Sequence, residues 1–142
     1  MKLRSNVLRV PPAESAEAVT HFAGRMRFET DCWDVHYAMT HNHQDFILLD
    51  VRSRELYDRG HLPGALHLPH AEIKAARMES FPDGAVFVVY CAGPHCNGAC
   101  KAALRLAELG RPVKEMIGGI EGWRDEGFDL IRESGEELRP AV

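Results

Sequence analysis

The sequence predicts a three-layer α/β domain in which a central, mostly parallel sheet is flanked by helices. Runs of strand length that are mostly apolar occupy residues 46–51 and 86–90, and such runs are typical of strands buried on both faces; residues 113–116 are predicted as a further strand. Segments with helical spacing of apolar residues separate them, and this alternation indicates parallel crossover units. A chain of 142 residues that is 45% hydrophobic is long enough to bury one such core.

Composition excludes several classes of function. A formal net charge of -4 argues against nucleic-acid binding, and no apolar run approaches the roughly eighteen residues of a membrane span. The first six residues lack the apolar core of a secretory signal. Three of the four cysteines are crowded into residues 91–100, which is a poor disulfide pattern for a secreted protein. We therefore expect a cytoplasmic protein with reduced thiols and with neither nucleic acid nor membrane as a partner.

The N-terminal third of the chain predicts an addition to the main domain. An extended arm ends at Pro12, which is expected in the first turn of a helix. The apolar residues predicted to pack this helix on the domain are Ala16, Val19, Phe22, Ala23 and Met26. Residues 26–29 are predicted as a short edge strand. Thr30 or Asp31 is then expected to cap a second helix that runs to about Met39.

The rest of the chain follows the strand-and-helix alternation. Residues 46–51, 86–90 and 113–116 are the expected strands, with a further short strand after a type II turn at Pro63-Gly64. Helices are predicted through Ile73 to Arg77, from about residue 98 to residue 109, and after the Gly118-Gly119 turn. The residues from Arg132 onward are charged and are expected to fray.

Cys91 is the candidate nucleophile because it lies between the end of a strand and the start of a helix. Unpaired N–H groups of the loop and the positive end of the helix would favour a thiolate and an anionic substrate there. Glycines in the loop are expected to adopt positive φ, so that successive amides converge on one anion. The alternative for Cys91 is a buried, inert cysteine. The loop, as candidate substrate-binding residues, consists of Ala92, Gly93, Pro94, His95, Cys96, Asn97 and Gly98.

Other residues of this region leave two interpretations open. His95 either supplies positive charge and moves protons or is an exposed loop histidine. Cys96 either resolves an oxidised or persulfidated Cys91 as an internal disulfide or is a small packing residue. Cys32 and Cys100 are expected in the core. The eight histidines do not form paired ligand clusters and there is no CxxC pair, so we expect no metal and no cofactor.

Several motifs together resemble the rhodanese-like (thiosulfate sulfurtransferase) domain family. They are Asp50-Val51-Arg52, Glu55, residues 60–65 (GHLPGA), Cys91, Gly118-Gly119 and Trp123, in this order over residues 28–128. The resemblance implies a single-domain member: an arm and added helix at 1–27, the rhodanese-like domain at 28–131 and a tail at 132–142. It also implies that Arg52 and Glu55 tie the turn after Asp50 to neighbouring segments, with Asp50 a weaker neighbour of the site.

The resemblance implies a sulfurtransferase that carries sulfane sulfur as a persulfide on Cys91. Its partners would be a small anionic donor such as thiosulfate and a thiol or cyanide-like acceptor. Active loops of the family commonly carry an arginine or lysine, which this loop lacks. Two alternatives stay open: a non-catalytic rhodanese-like binding or regulatory module, and a phosphatase or arsenate reductase. The latter would need an arginine where Asn97 stands.

Overall fold

The computed structural model describes residues 3–132 and the backbone of residues 137–138. The strands are β1 (Glu29–Thr30), β2 (Ile47–Asp50), β3 (Leu66–His67), β4 (Phe87–Tyr90), β5 (Val113–Met116), β6 (Leu130–Ile131) and β7 (Glu137–Leu138). The helices are α1 (Ser15–Phe28), α2 (Cys32–Thr40), α3 (Arg54–Arg59), α4 (Ala75–Met78), α5 (Gly98–Glu108) and α6 (Gly119–Asp125), with a single 3-10 turn at His70–Glu72.

A five-stranded parallel sheet in the order β1-β5-β4-β2-β3 forms the centre of the domain. The register aligns Asp50 with Tyr90 and Glu29 with Glu115, so the carboxyl ends of β2, β4, β5 and β1 meet at one edge. Crossover connections between parallel strands cover both faces with helices. The predicted α/β class is therefore confirmed.

Each central strand divides its side chains between two apolar clusters, one on each face of the sheet. Val88 and Tyr90 pack with Trp123 in the first, while Phe87 and Val89 pack with Leu106 of α5 in the second. This division follows from the alternation of side chains along a strand. Because Cys91 continues the pattern of Phe87 and Val89, it belongs to the α5 side.

The N-terminal helix differs from its prediction in bounds and in packing. It begins at Ser15, so Pro12 lies before it, and it continues to Phe28, which moves the edge strand from 26–29 to Glu29–Thr30. No residue of α1 is buried, and Phe22 and Met26 are 55% and 69% exposed. The apolar face predicted to pack is thus directed to solvent. The helix is attached instead by its last turn, where Lys114 Nζ donates to the Met26 carbonyl at 2.7 Å.

Other boundaries lie close to those predicted. Asp31 caps α2 by accepting from the Asp34 amide at 2.8 Å, β5 has the predicted bounds, and Gly110 ends the α5 segment with φ 75°. The helix predicted through Ile73 is instead divided: Ile73 is buried between the 3-10 turn and α4.

Part of the predicted tail is ordered as a strand. The backbone of β7 pairs antiparallel with β6, while residues 133–136 and 139–142 lie outside the described residues. Within the part of the chain that the structure describes, no helix is both long enough and apolar enough to cross a membrane.

Candidate active site

Cys91 follows the last residue of β4 directly, and the loop after it leads into α5. The site therefore lies beyond the carboxyl ends of parallel strands, the edge at which α/β sheets bind ligands. Cys91 is buried at 7% exposure, but its side chain lines a cavity of about 280 Å³ with Cys96 and Met116. The predicted nucleophile is thus largely buried, and it is reached through this small, partly open cavity.

The sulfur atoms of Cys91 and Cys96 are close neighbours at the start of α5. A Cβ on Gly98 would lie 2.9 Å from Cys91 Sγ and 3.5 Å from Cys96 Sγ. The Gly98 amide donates to Cys96 Sγ at 3.4 Å, and a turn in which Cys96 N donates to the Gly93 carbonyl at 3.1 Å closes the loop. The amide at the start of the helix, which the sequence predicts to serve Cys91, therefore donates to Cys96.

The pKa values of the two thiols move in opposite directions. Burial, together with the hydrogen bond donated to Cys96, raises the pKa of Cys91 to about 11. The pKa of Cys96 is lowered, chiefly because its sulfur accepts that hydrogen bond and the amide donors add to it. In the resting pair the pKa directions favour negative charge on Cys96, whereas the sequence predicts the thiolate at Cys91.

The loop glycines serve a different purpose from the one predicted. Positive φ values occur at five other glycines, and neither Gly93 nor Gly98 has one. Both positions instead lack space for a side chain. A Cβ at Gly98 would lie 2.9 Å from Cys91 Sγ, and one at Gly93 would lie 2.8 Å from Glu121 Oε2. These glycines allow close approach to the reacting sulfur and to α6.

The first residues of α6 bind the backbone of the loop through hydrogen bonds. The amides of Ile120 and Glu121 donate to the carbonyls of Cys91 and Ala92 at 3.0 and 2.9 Å. A Cβ on Gly119, whose φ is 59°, would lie 2.5 Å from the Cys91 carbonyl oxygen. The glycine pair before Trp123 is therefore required because backbone meets backbone there.

The remaining loop residues face outward. His95 is exposed and its Nδ1 lies 3.7 Å from Glu121 Oε2, an ion pair when the imidazole is protonated. Asn97 precedes α5 without a side-chain capping hydrogen bond. These two residues line an open depression with Ala92, Pro94 and Cys96. Pro94 and Cys96 also line the Cys91 cavity, whereas His95 is not among its lining residues.

Three charged residues that sequence reasoning missed line the Cys91 cavity: Arg25, Glu29 and Glu115. Arg25 Nε lies 3.2 Å from Glu29 Oε1. The pKa of Glu115 is raised, mainly because the carboxyl is partly buried and further because Glu29 is negatively charged. Arg25 belongs to α1, so a cation missing from the loop is supplied from another part of the chain. The only sequence signal was the i,i+4 spacing of Arg25 and Glu29, which is common on helix surfaces.

Asp50 lies near the site but not in it. Its buried carboxylate accepts from Arg52 Nη2 at 2.7 Å, from the Arg52 amide at 3.0 Å and from the Tyr90 hydroxyl at 2.8 Å. Arg52 also donates to the Gly60 carbonyl, and the Leu62 amide donates to the Tyr90 oxygen. This network joins the ends of β2 and β4 to the following turn. Glu55, by contrast, pairs with Arg59 on the surface.

The other two cysteines are separate from this pair. Cys32 is buried in the opposite core cluster, as predicted, and its thiol contacts the Ile117 and Gly119 carbonyls. Cys100 is exposed, and its predicted burial is wrong because α5 directs Ala99, Ala102 and Leu106 inward. Among the described residues, no three His, Cys, Asp or Glu side chains are grouped so as to hold a metal ion.

The family assignment follows from the match between this chain and known proteins. A family model for the rhodanese-like domain matches residues 34–126, a span that contains the loop, β2 to β5, all of α6 and most of α2. The chain belongs to the rhodanese-like domain family. The resemblance predicted from the motifs around Asp50, Cys91 and Gly118-Gly119 is thus confirmed, and α1 with Arg25 lies outside the matched span.

Relatives within the rhodanese-like family carry different names. A crystal structure of the BH2092 protein from Bacillus halodurans is 37% identical with a TM-score of 0.81, over 86% of this chain and 89% of that one. Thiosulfate sulfurtransferase GlpE of Coxiella burnetii is 32% identical over 57% of this chain and 74% of its own length. The regulator Rv0324 of Mycobacterium tuberculosis, described as HTH-type, is 39% identical over 58% of this chain. The matched segment covers 36% of the length of that regulator, so the chain spans about a third of it.

Proposed function

We propose that this rhodanese-like protein is a sulfurtransferase that carries sulfane sulfur as a persulfide on Cys91. The observation that supports it most is the position of Cys91, which follows β4 directly, precedes the loop to α5 and lines a cavity of about 280 Å³. Amide donors at the start of a helix stabilise sulfur anions, both thiolate and persulfide. The printed name of the Coxiella relative, a thiosulfate sulfurtransferase, supports the same reaction.

The first half-reaction needs a proton acceptor for Cys91, since the pKa of its thiol is about 11. Cys96 Sγ is the neighbouring sulfur, and its thiolate, which a lowered pKa favours, can take the proton. The Cys91 thiolate then attacks the outer sulfur of thiosulfate, an S–S bond forms, and the donor S–S bond breaks. Sulfite leaves with the bonding electron pair.

The second half-reaction returns the enzyme to its starting state. A thiol or cyanide-like nucleophile attacks the outer persulfide sulfur and forms a bond to it. The Cys91–sulfur bond breaks with its electrons on Cys91 Sγ, which recovers the proton from Cys96. Sulfur has then moved from an anionic donor to a thiophilic acceptor through one covalent intermediate.

Replacing Cys91 by serine is expected to reduce thiocyanate formation from thiosulfate and cyanide to the background rate, because a serine hydroxyl cannot hold sulfane sulfur. Cys100→Ser is the matched control, since Cys100 is exposed on α5, and it should keep the wild-type rate. A colorimetric thiocyanate assay on the three proteins measures this. Equal turnover by wild type and Cys91→Ser would contradict the proposal.

A non-catalytic module is the second candidate, and the raised pKa of Cys91 favours it. Absence of thiocyanate and of any persulfide in the wild type, with several sulfane donors, would support that alternative. Phosphatase or arsenate reductase chemistry has less support because Asn97, which stands where an arginine would be needed, provides no guanidinium fork.

Arg25 is expected to assist binding of the anionic donor. Replacing it by glutamine should raise the KM for thiosulfate about 2–5-fold with kcat unchanged, since a half-exposed charge contributes roughly 0.5–1 kcal/mol. Arg27→Gln changes the same charge on the same helix at a position that does not line the cavity, and its KM should stay at the wild-type value. An unchanged KM in Arg25→Gln, measured by steady-state kinetics at low salt, would exclude this role.

A further inference from the structure

Cys96 lies close to Cys91, and sulfur transfer to an external acceptor does not require this proximity. The two sulfurs lie close together, since a Cβ on Gly98 would lie 2.9 Å from Cys91 Sγ and 3.5 Å from Cys96 Sγ. The turn from Gly93 to Cys96 folds the loop back to bring the sulfurs together. Chain segments that approach in this way can satisfy the short Cα separation of a disulfide.

The two sulfurs differ in access. Cys91 faces the inner cavity, whereas Cys96 is half-buried and lines both that cavity and the open depression beside His95 and Asn97. A bond between them would therefore be reachable by a protein dithiol from outside. Cys32, in the opposite core cluster, and Cys100, exposed on α5, do not line either space.

We propose that Cys96 is the resolving thiol of the Cys91 persulfide, so that the site releases hydrosulfide from sulfane donors and is restored by a dithiol reductant. This inference rests on the proposed function, because it begins from the persulfide on Cys91. It names a second fate for the sulfur, which competes with transfer to an external acceptor.

The step balances in atoms and electrons. Cys96 holds the proton that it took from Cys91 when the persulfide formed, and this proton passes to the outer sulfur of the anionic persulfide. The Cys96 sulfur attacks Cys91 Sγ, the inner sulfur, and an Sγ–Sγ bond forms. The bond from Cys91 Sγ to the outer sulfur breaks, and that sulfur leaves with the electron pair and the proton as hydrosulfide. The two cysteines are oxidised to a disulfide while the sulfane sulfur is reduced to sulfide. A dithiol protein reductant of the thioredoxin class supplies the two electrons that restore both thiols.

The hydrogen bonding around the two cysteines favours Cys96 as the attacking sulfur. In the persulfide the Cys91 thiol proton is gone, so the donor that remains to Cys96 is the Gly98 amide, 3.4 Å from Cys96 Sγ. This donor stabilises negative charge on the attacking Cys96 sulfur. The inner cavity next to Cys91 gives the departing sulfide a space to enter.

A single-turnover experiment tests this inference. Wild type, Cys96→Ser and Cys100→Ser are incubated with thiosulfate at alkaline pH, without cyanide, thiols or reductant, and then analysed by intact mass spectrometry and a sulfide assay. Wild type and Cys100→Ser are expected to lose the mass of two hydrogen atoms and to release one equivalent of sulfide. Cys96→Ser is expected to gain the mass of one sulfur atom on Cys91 and to release none. Cys96→Ala should repeat the serine result.

The outcomes separate the two proposals. If wild type keeps one added sulfur on Cys91 and releases no sulfide, the role of Cys96 is overturned and the persulfide carrier stands. If neither wild type nor either Cys96 variant gains sulfur, forms a disulfide or releases sulfide, the persulfide carrier is overturned, and the role of Cys96 with it. A disulfide that peptide mapping assigns to any pair other than 91 and 96 also overturns the inference.

Discussion

Replacing Asp50 by alanine is expected to lower the free energy of unfolding by about 3–5 kcal/mol, because it leaves the Arg52 guanidinium buried without its partner. The two side chains are 0% and 5% exposed, and Arg52 Nη2 lies 2.7 Å from Asp50 Oδ2. The Tyr90 hydroxyl would lose its acceptor as well. Urea unfolding followed by circular dichroism measures the effect.

Two controls make this prediction specific. Asp45→Ala removes an exposed carboxylate a few residues earlier and should change stability by less than about 0.5 kcal/mol. Asp50→Ala combined with Arg52→Met removes both charges, and it should be more stable than Asp50→Ala alone. A double variant less stable than the single one would contradict the buried-charge explanation and would point to packing around Gly60.

Gly119→Ala is expected to lower the free energy of unfolding by about 1–3 kcal/mol or more. It is also expected to abolish sulfur transfer. Its φ of 59° is strained for alanine, and the added Cβ would lie 2.5 Å from the Cys91 carbonyl oxygen, a backbone atom that cannot rotate away. The loop and the start of α6 would have to separate, with loss of the bonds from Ile120 and Glu121. Thermal unfolding and the thiocyanate assay measure both effects.

Gly98→Ala is the matched contrast, since the same methyl group meets a side-chain sulfur there at 2.9 Å. Cys91 can rotate away, so stability should change by less than about 1 kcal/mol. The displaced sulfur should nevertheless slow sulfur transfer, by up to about 10²-fold for a displacement near 1 Å. Equal stability of the two glycine variants would contradict the distinction between a backbone and a side-chain contact.

The sequence predicted the parts of the site that depend on local order along the chain. A buried strand that ends in cysteine, followed by a small loop and an amphipathic helix, was enough to predict Cys91 and the loop up to Gly98 as the candidate site. The amide donors also follow from that order, because the start of any helix leaves N–H groups unpaired. The Trp123 position was predicted as core, and it is buried.

The missed features depend on distances between segments far apart in the chain. The role of Gly93 and Gly98 was misjudged because their close contacts, with Glu121 and Cys91 respectively, cannot be read from the neighbouring sequence. The exposed apolar face of α1 and the inward orientation of Arg25 depend on where the helix lies beside β5, which its periodicity does not specify.

The sequence by itself determined the α/β class, the family and the sulfur that is the centre of the site, since strand order, motif spacing and residue identity carry that information. Only the tertiary structure decided the charges around that sulfur. Parallel pairing of β1 with β5 puts Glu29 beside Glu115 and brings Arg25 to the cavity, and loop folding turns the Cys91 thiol toward Cys96. Burial and hydrogen bonding, which set thiol pKa values, arise from this packing and not from neighbours along the chain.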